Sequence, residues 1–74
     1  MSALSDKVIA ISKPYFGPAT EAFLNRQCKG HLNIDVSELA QSHVKELAKW
    51  VERSGALLMD AAKASEIAGK IAKL

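Results

Sequence analysis

Hydrophobic residues recur along this chain at the three- and four-residue spacings of helix faces, in segments separated by proline and glycine. Leu4, Val8 and Ile11 form the first stripe. Helical side chains three and four positions apart share a face, so the stripe predicts a helix. Val8, Ile9 and Ile11 also suit a strand, because β-branched side chains lose rotamer freedom in a helix. The chain offers no second strand for them to pair with, and a helix is therefore expected. Pro14 is expected to end it, since its ring clashes with the carbonyl of Ala10 and pushes Lys13 out of the α region.

Gly17-Pro18 predicts the start of a second helix. Proline fits the first helical position, where its missing N–H costs nothing, and glycine is an acceptable N-cap. Ala19, Ala22, Phe23, Leu24 and Cys28 give this helix a broad apolar side, and Gly30 is expected to stop it in a left-handed conformation. Asp35 with Glu38 reads as a capping box, flanked by an Ile34/Leu39 hydrophobic staple. The third helix is then expected from Val36 to about Ser54, burying Val36, Leu39, Ala40, Val44, Leu47 and Val51, with Gly55 as its stop. The stretch Gly55-Ala56-Leu57-Leu58-Met59 is apolar without a helical period. It reads as an extended link pressed onto the core by Leu57 and Leu58. Asp60 is expected to cap a last helix striped by Ala64, Ile67, Ala68, Ile71 and Leu74. The sum is one all-α domain over residues 1–74, a compact bundle of four short helices.

Size sharpens this picture. A chain of 74 residues buries only ~60% of the surface its unfolded form exposes. Hydrophobic residues make up 49% of it, but many are alanines that add little buried area, so such a domain gains from a second copy or a host protein. A single cysteine, Cys28, excludes an internal disulfide framework and suits a reducing compartment. With no segment resembling a signal peptide or a membrane span, a cytoplasmic protein is expected. Ten basic residues against eight acidic ones, with the signs interspersed, do not make the clustered basic surface typical of nucleic-acid binders.

Catalytic and metal chemistry find little support in the residue types. Cys28, His31 and His43 are the soft metal ligands, and Cys-x-x-His is a permissible pair spacing, but a closed zinc site needs four ligands. Asp35 is a stretched fourth, so no metal is expected, and Cys28 reads as a small core hydrophobe. Ser42 and His43 are neighbours on a helix and point about 100° apart. They cannot act as a nucleophile–base pair. The carboxylates sit at caps or at solvated positions. No catalytic residue, cofactor or small-molecule substrate is expected.

Two features remain for partner binding. The stretch Lys13 to Thr20 holds both prolines and two of the four aromatic residues. Adjacent aromatics in a turn cannot both enter one core, so Phe16 is expected inward and Tyr15 outward with a wet hydroxyl. Trp50 is expected to straddle the edge of the third helix's apolar face. Tyr15 and Trp50 together predict an interface for a protein partner, with a homodimer among the candidates. Lys45, Lys49 and Arg53 recur every four residues along one helix edge. They offer the rival reading, a nucleic-acid-binding accessory protein, although Glu46 and Glu52 lie beside them and a solvated face is the usual outcome.

The run Tyr15-Phe16-Gly17-Pro18-Ala19, then an apolar helix, a capped helix, and Met59-Asp60 leading into Ala64-x-Glu66-Ile67-Ala68-x-Lys70-Ile71, resembles a type of small helical module. Such modules stand beside bacterial signalling domains such as kinases, cyclases and response regulators. The resemblance covers residues 14 to 74. It implies an interaction role in bacterial signalling and carries no catalytic residues over.

Overall fold

A computed structural model describes residues 2–74 as an all-α, compact bundle. Its helices are α1 (Ala3–Phe16), α2 (Thr20–Gln27), α3 (Val44–Gly55) and α4 (Ala61–Ala72). α1, α3 and α4 run twelve residues or more, while α2 has eight and is continued by a π turn, Cys28–Leu32. Short 3-10 turns fill the connections at Gly17–Ala19, Val36–Glu38 and Gln41–His43.

Pro14 does not end α1. The helix continues through Phe16. Proline removes the hydrogen bond to the Ala10 carbonyl, but Ala10 and Pro14 are both exposed, so water can satisfy that carbonyl. Tertiary contacts hold the extra turn in place. Phe16 stacks on Phe23 with ring centroids 4.2 Å apart, and Tyr15 reaches α4. The real stop is Gly17, with φ 59° and ψ −134° and its N–H on the Lys13 carbonyl. Thr20 is buried and its hydroxyl donates to the Gly17 carbonyl at 2.6 Å, which fixes the turn into α2.

The inward face of α1 is more polar than its sequence suggests. Ser5, Val8, Ile9 and Ser12 are buried, whereas Leu4 and Ile11 are only half-buried. Ser2 caps the helix, accepting the Ser5 N–H at 3.0 Å. Its hydroxyl donates to the Leu39 carbonyl at 3.1 Å, and that of Ser5 donates to the Val36 carbonyl at 2.5 Å. These bonds tie the start of α1 to the segment before α3 and satisfy carbonyls that no longer helix serves. Ser12 Oγ is buried with no hydrogen-bond partner among the described residues.

The long third helix expected from Val36 divides in two. The Glu38 carboxylate accepts the Asp35 N–H at 2.9 Å, and the Glu38 N–H donates to the Asp35 carbonyl at 2.9 Å. This box opens one 3-10 turn only, because Leu39 leaves the helical region at ψ 129°. The Asp35 carboxylate pairs with Lys29 at 3.3 Å. A second turn follows, in which His43 Nδ1 accepts the Ala40 N–H at 3.0 Å, and α3 starts only at Val44. The break lets Leu39 bury to 2% exposure while Ala40 turns out to solvent. On the continuous helix expected here the two stand about 100° apart, both within its broad inward side. Upstream, Gly30 is not the left-handed stop of α2. Asn33 takes that conformation (φ 58°, ψ 38°), with its N–H on the Cys28 carbonyl, a geometry asparagine tolerates better than most residues.

Leu24, Cys28, Val44, Leu47, Val51, Ile67 and Ile71 are the closed centre of the core. Cys28 is fully buried, which raises its thiol pKa, so it packs as the small hydrophobe expected of it. Asp60 stands at the N-cap of α4 without a side-chain bond, and the buried stripe Ala64, Ile67, Ala68 and Ile71 follows as its spacing indicates.

Gly17 is the position where backbone alone decides. Nothing lies within 4 Å of where its Cβ would stand, so Gly17→Ala clashes with no neighbour. Its positive φ still penalises an L side chain by ~1–3 kcal/mol. The urea midpoint of Gly17→Ala is expected to fall accordingly, and an unchanged midpoint would mean that α1 can end without this conformation.

Candidate interaction surface

The apolar stretch after α3 is not pressed onto the core. Gly55 closes α3, and its carbonyl accepts the N–H groups of both Leu58 and Met59 at 2.9 Å. The chain therefore winds into a tight turn instead of extending, and the turn points its side chains outward. Leu57 is 86% exposed and Leu58 67%. Met59, half-buried, turns back toward the body of the protein. It lines a groove of about 300 Å³ together with Pro14, Tyr15, Lys63 and Glu66. That volume lies at the floor of the range for small-molecule sites and suits a notch for side chains. Two exposed leucines and a groove thus meet at one place, where the end of α1, the α3–α4 turn and the first turns of α4 come together.

Tyr15 belongs to this place, but its hydroxyl is not simply wet. It donates to Glu66 Oε1 and accepts from Lys70 Nζ at 2.9 Å. Lys70 also stands 5.2 Å over the ring and 3.6 Å from the Glu66 carboxylate. The Tyr15 hydrogen bond is the main cause that holds the Glu66 carboxyl below its ordinary pKa, with the Lys70 and Lys63 charges adding to it. Bonding to Tyr15, and then the Glu66 charge, raise the Lys70 ammonium above its ordinary value. All three groups are wet enough that screening keeps the net effect small.

Trp50 lies in a separate cluster. It is half-buried, and His31 stacks on it with centroids 3.7 Å apart and planes 3° from parallel. Lys49 Nζ and the Arg53 guanidinium stand 5.2 Å and 5.4 Å from the ring centroid. Tyr15 contacts Glu66 and Lys70, and Trp50 contacts His31, Lys49 and Arg53, so among the described residues these contacts do not join the two aromatics into one patch. Lys45, Lys49 and Arg53 are all exposed. Lys45 and Lys49 also border a groove between α3 and α4, with Glu52 on the same wall.

Among the described residues no three histidine, cysteine or acidic side chains gather as metal ligands, and no helix is long and apolar enough to cross a membrane. Sequence reasoning placed Leu57 and Leu58 inside and so missed the exposed pair. The readable signal was the missing helical period. Two adjacent leucines in a hydrogen-bonded turn have no single face to bury. His31 beside Trp50 had no sequence signal, since the π turn brings them together across 19 positions.

The Tyr15–Glu66–Lys70 contact gives a pH signature. A lowered Glu66 contributes stability above the ordinary carboxylate pKa and loses it as pH falls through the folded value. A raised Lys70 contributes below the ordinary lysine pKa and loses it as pH rises through the folded value. Tyr15→Phe is therefore expected to lower the urea midpoint at neutral pH, with the difference shrinking in acid and again in strong alkali. A difference constant across the titration would assign the loss to ring packing alone.

No protein-family model, no curated protein and no solved structure matches this chain, so its surface is read from its own residues.

Proposed function

We propose that the chain is a non-enzymatic protein-interaction or dimerisation module of the bacterial cytoplasm, working through the α3–α4 turn. The observation that carries this reading is the exposed Leu57–Leu58 pair. Burying one leucine side chain is worth ~1.5–3 kcal/mol, so leaving two adjacent ones in water forgoes a substantial gain that a partner can recover. Contiguous exposed apolar surface on a small domain marks contact sites. The state of the reactive side chains supports a non-enzymatic role: Cys28 is buried with a raised pKa, and His43 Nδ1 is engaged by a backbone N–H. The resemblance of residues 14 to 74 to modules beside signalling domains supports a bacterial signalling context.

Leu57→Ser combined with Leu58→Ser tests this directly. Surface substitutions of this kind shift stability by no more than ~0.5 kcal/mol, so the thermal melt is expected to match the wild type. Capture of proteins from the source organism's lysate on the immobilised chain is expected to drop sharply. Equal capture by both proteins would remove the turn as the binding surface.

The Trp50 cluster favours a second reading, nucleic-acid binding along Lys45, Lys49 and Arg53. An aromatic flanked by two cations offers both base stacking and phosphate contact. On this reading a mixed-sequence oligonucleotide binds at low salt, affinity falls steeply as salt rises, and Trp50→Ala weakens it. No binding at low salt, or binding indifferent to Trp50, eliminates it.

A further inference from the structure

We infer that the occupant of the Leu57–Leu58 surface is a second copy of the chain, docked about a two-fold axis so that the leucine turn of each copy enters the partner's groove. The inference rests on the interaction reading above and names its partner. Its starting point is that projection and recess lie side by side on one surface. Leu58 is followed directly by Met59, which lines the groove with Pro14 and Tyr15. A two-fold contact requires one patch to present both complementary parts, because each residue i that meets j must also meet it in reverse. A turn that projects next to a recess that receives satisfies this, and closure into a dimer leaves neither part open.

The charges at the rim agree. Lys63 and Glu66 both line the groove, three residues apart on α4, and Lys63 is close enough to help lower the Glu66 pKa. A partner of strong net charge would find one of each sign here and gain nothing. A two-fold axis passing between Lys63 and Glu66 sets Lys63 against the partner's Glu66 and Glu66 against the partner's Lys63. Size agrees as well. The chain exposes 4358 Å² in total, and a standard interface takes ~800 Å² from each partner, roughly a fifth of this surface. Two leucines alone cannot supply that area, so the contact takes in the groove lining and its charged rim as well as the leucine turn. Trp50 is not among the groove-lining residues and stays outside the contact.

Sedimentation equilibrium of the full chain at tens to hundreds of micromolar decides this. A species of twice the 8.0 kDa chain mass is expected. Leu58→Lys is expected to sediment as a monomer, and Trp50→Ala is expected to dimerise like the wild type. Lys63→Glu and Glu66→Lys each turn two attractive pairs repulsive, so each alone is expected to weaken the dimer roughly tenfold. Mixed in equal amounts they restore it, because the heterodimer again sets opposite charges together. The Lys63 side chain makes no hydrogen bond or ion pair among the described residues, so Lys63→Glu should keep the fold. If Glu66→Lys unfolds through loss of the Tyr15 contact, Leu58→Lys and Lys63→Glu still carry the test. A dimer indifferent to Leu58 and Lys63, or a folded charge-swapped pair that fails to recover on mixing, overturns the two-fold contact. A wild-type monomer at several hundred micromolar overturns it too. If lysate capture still depends on Leu57 and Leu58 in that case, the interaction reading stands and only the homodimer is lost. If capture is equally absent, both fall.

Discussion

The close approach of α3 and α4 at Gly55 and Ala64 is the constraint on which the rest of the molecule depends. A methyl group at Gly55 would stand 3.4 Å from the Ala64 Cβ and 3.9 Å from the Phe16 ring, in van der Waals contact with both, so the helices lie closely packed at this point. Gly55 is not a left-handed stop, because it remains helical as the last residue of α3, buried against Ala64. Phe16 reaches the same point and stacks on Phe23 behind it. The end of α1, the body of α2 and both later helices thus converge on one small residue. In a domain with few large core side chains, that convergence closes the interior.

The same crossing produces the exposed surface. Since α3 ends at Gly55 and α4 begins at Ala61, the chain has five residues, Ala56 to Asp60, in which to reverse. It does so in a turn hydrogen-bonded to the Gly55 carbonyl. A turn that tight keeps its backbone satisfied by pointing side chains away from the helices it joins, and at this position those side chains are leucines. Exposure of Leu57 and Leu58 is thus a consequence of close helix packing, and the groove beside them is the space left where α1 ends against α4.

Polar ties replace the area that a small core lacks. The serines at the start of α1 hold the irregular segment before α3 through its carbonyls, and Tyr15 fastens the end of α1 to α4. The Gln27 amide oxygen accepts from the Ser54 hydroxyl at 3.0 Å and links α2 to α3. The buried bond from Ser5 to the Val36 carbonyl is worth ~0.5–1.5 kcal/mol net, while solvent screens the Tyr15 contacts. The value of these ties is also positional: they set where the groove wall and the Trp50 cluster stand relative to the helices.

The sequence by itself determined the class of fold and most of the inward faces. Val8, Leu24, Leu47, Val51, Ile67 and Ile71 are buried as their spacing predicts, because helical period and hydrophobicity are local properties of the chain. It also located the Glu38 bond to the Asp35 backbone and the Pro18 entry into the second helical segment, since capping and proline geometry involve only neighbouring residues. Tertiary structure decided the rest. Pro14 stays helical because Tyr15 and Phe16 find partners on other elements. The helix expected from Val36 breaks because Leu39 is needed in the core, and Asn33 takes the left-handed position that Gly30 does not need. Leu57 and Leu58 lie outside because the chain reverses between packed helices in a turn bonded to the Gly55 carbonyl. The Pro14 and Leu39 outcomes turn on contacts between residues distant in sequence, whose energies outweigh the local preferences that a linear reading can weigh.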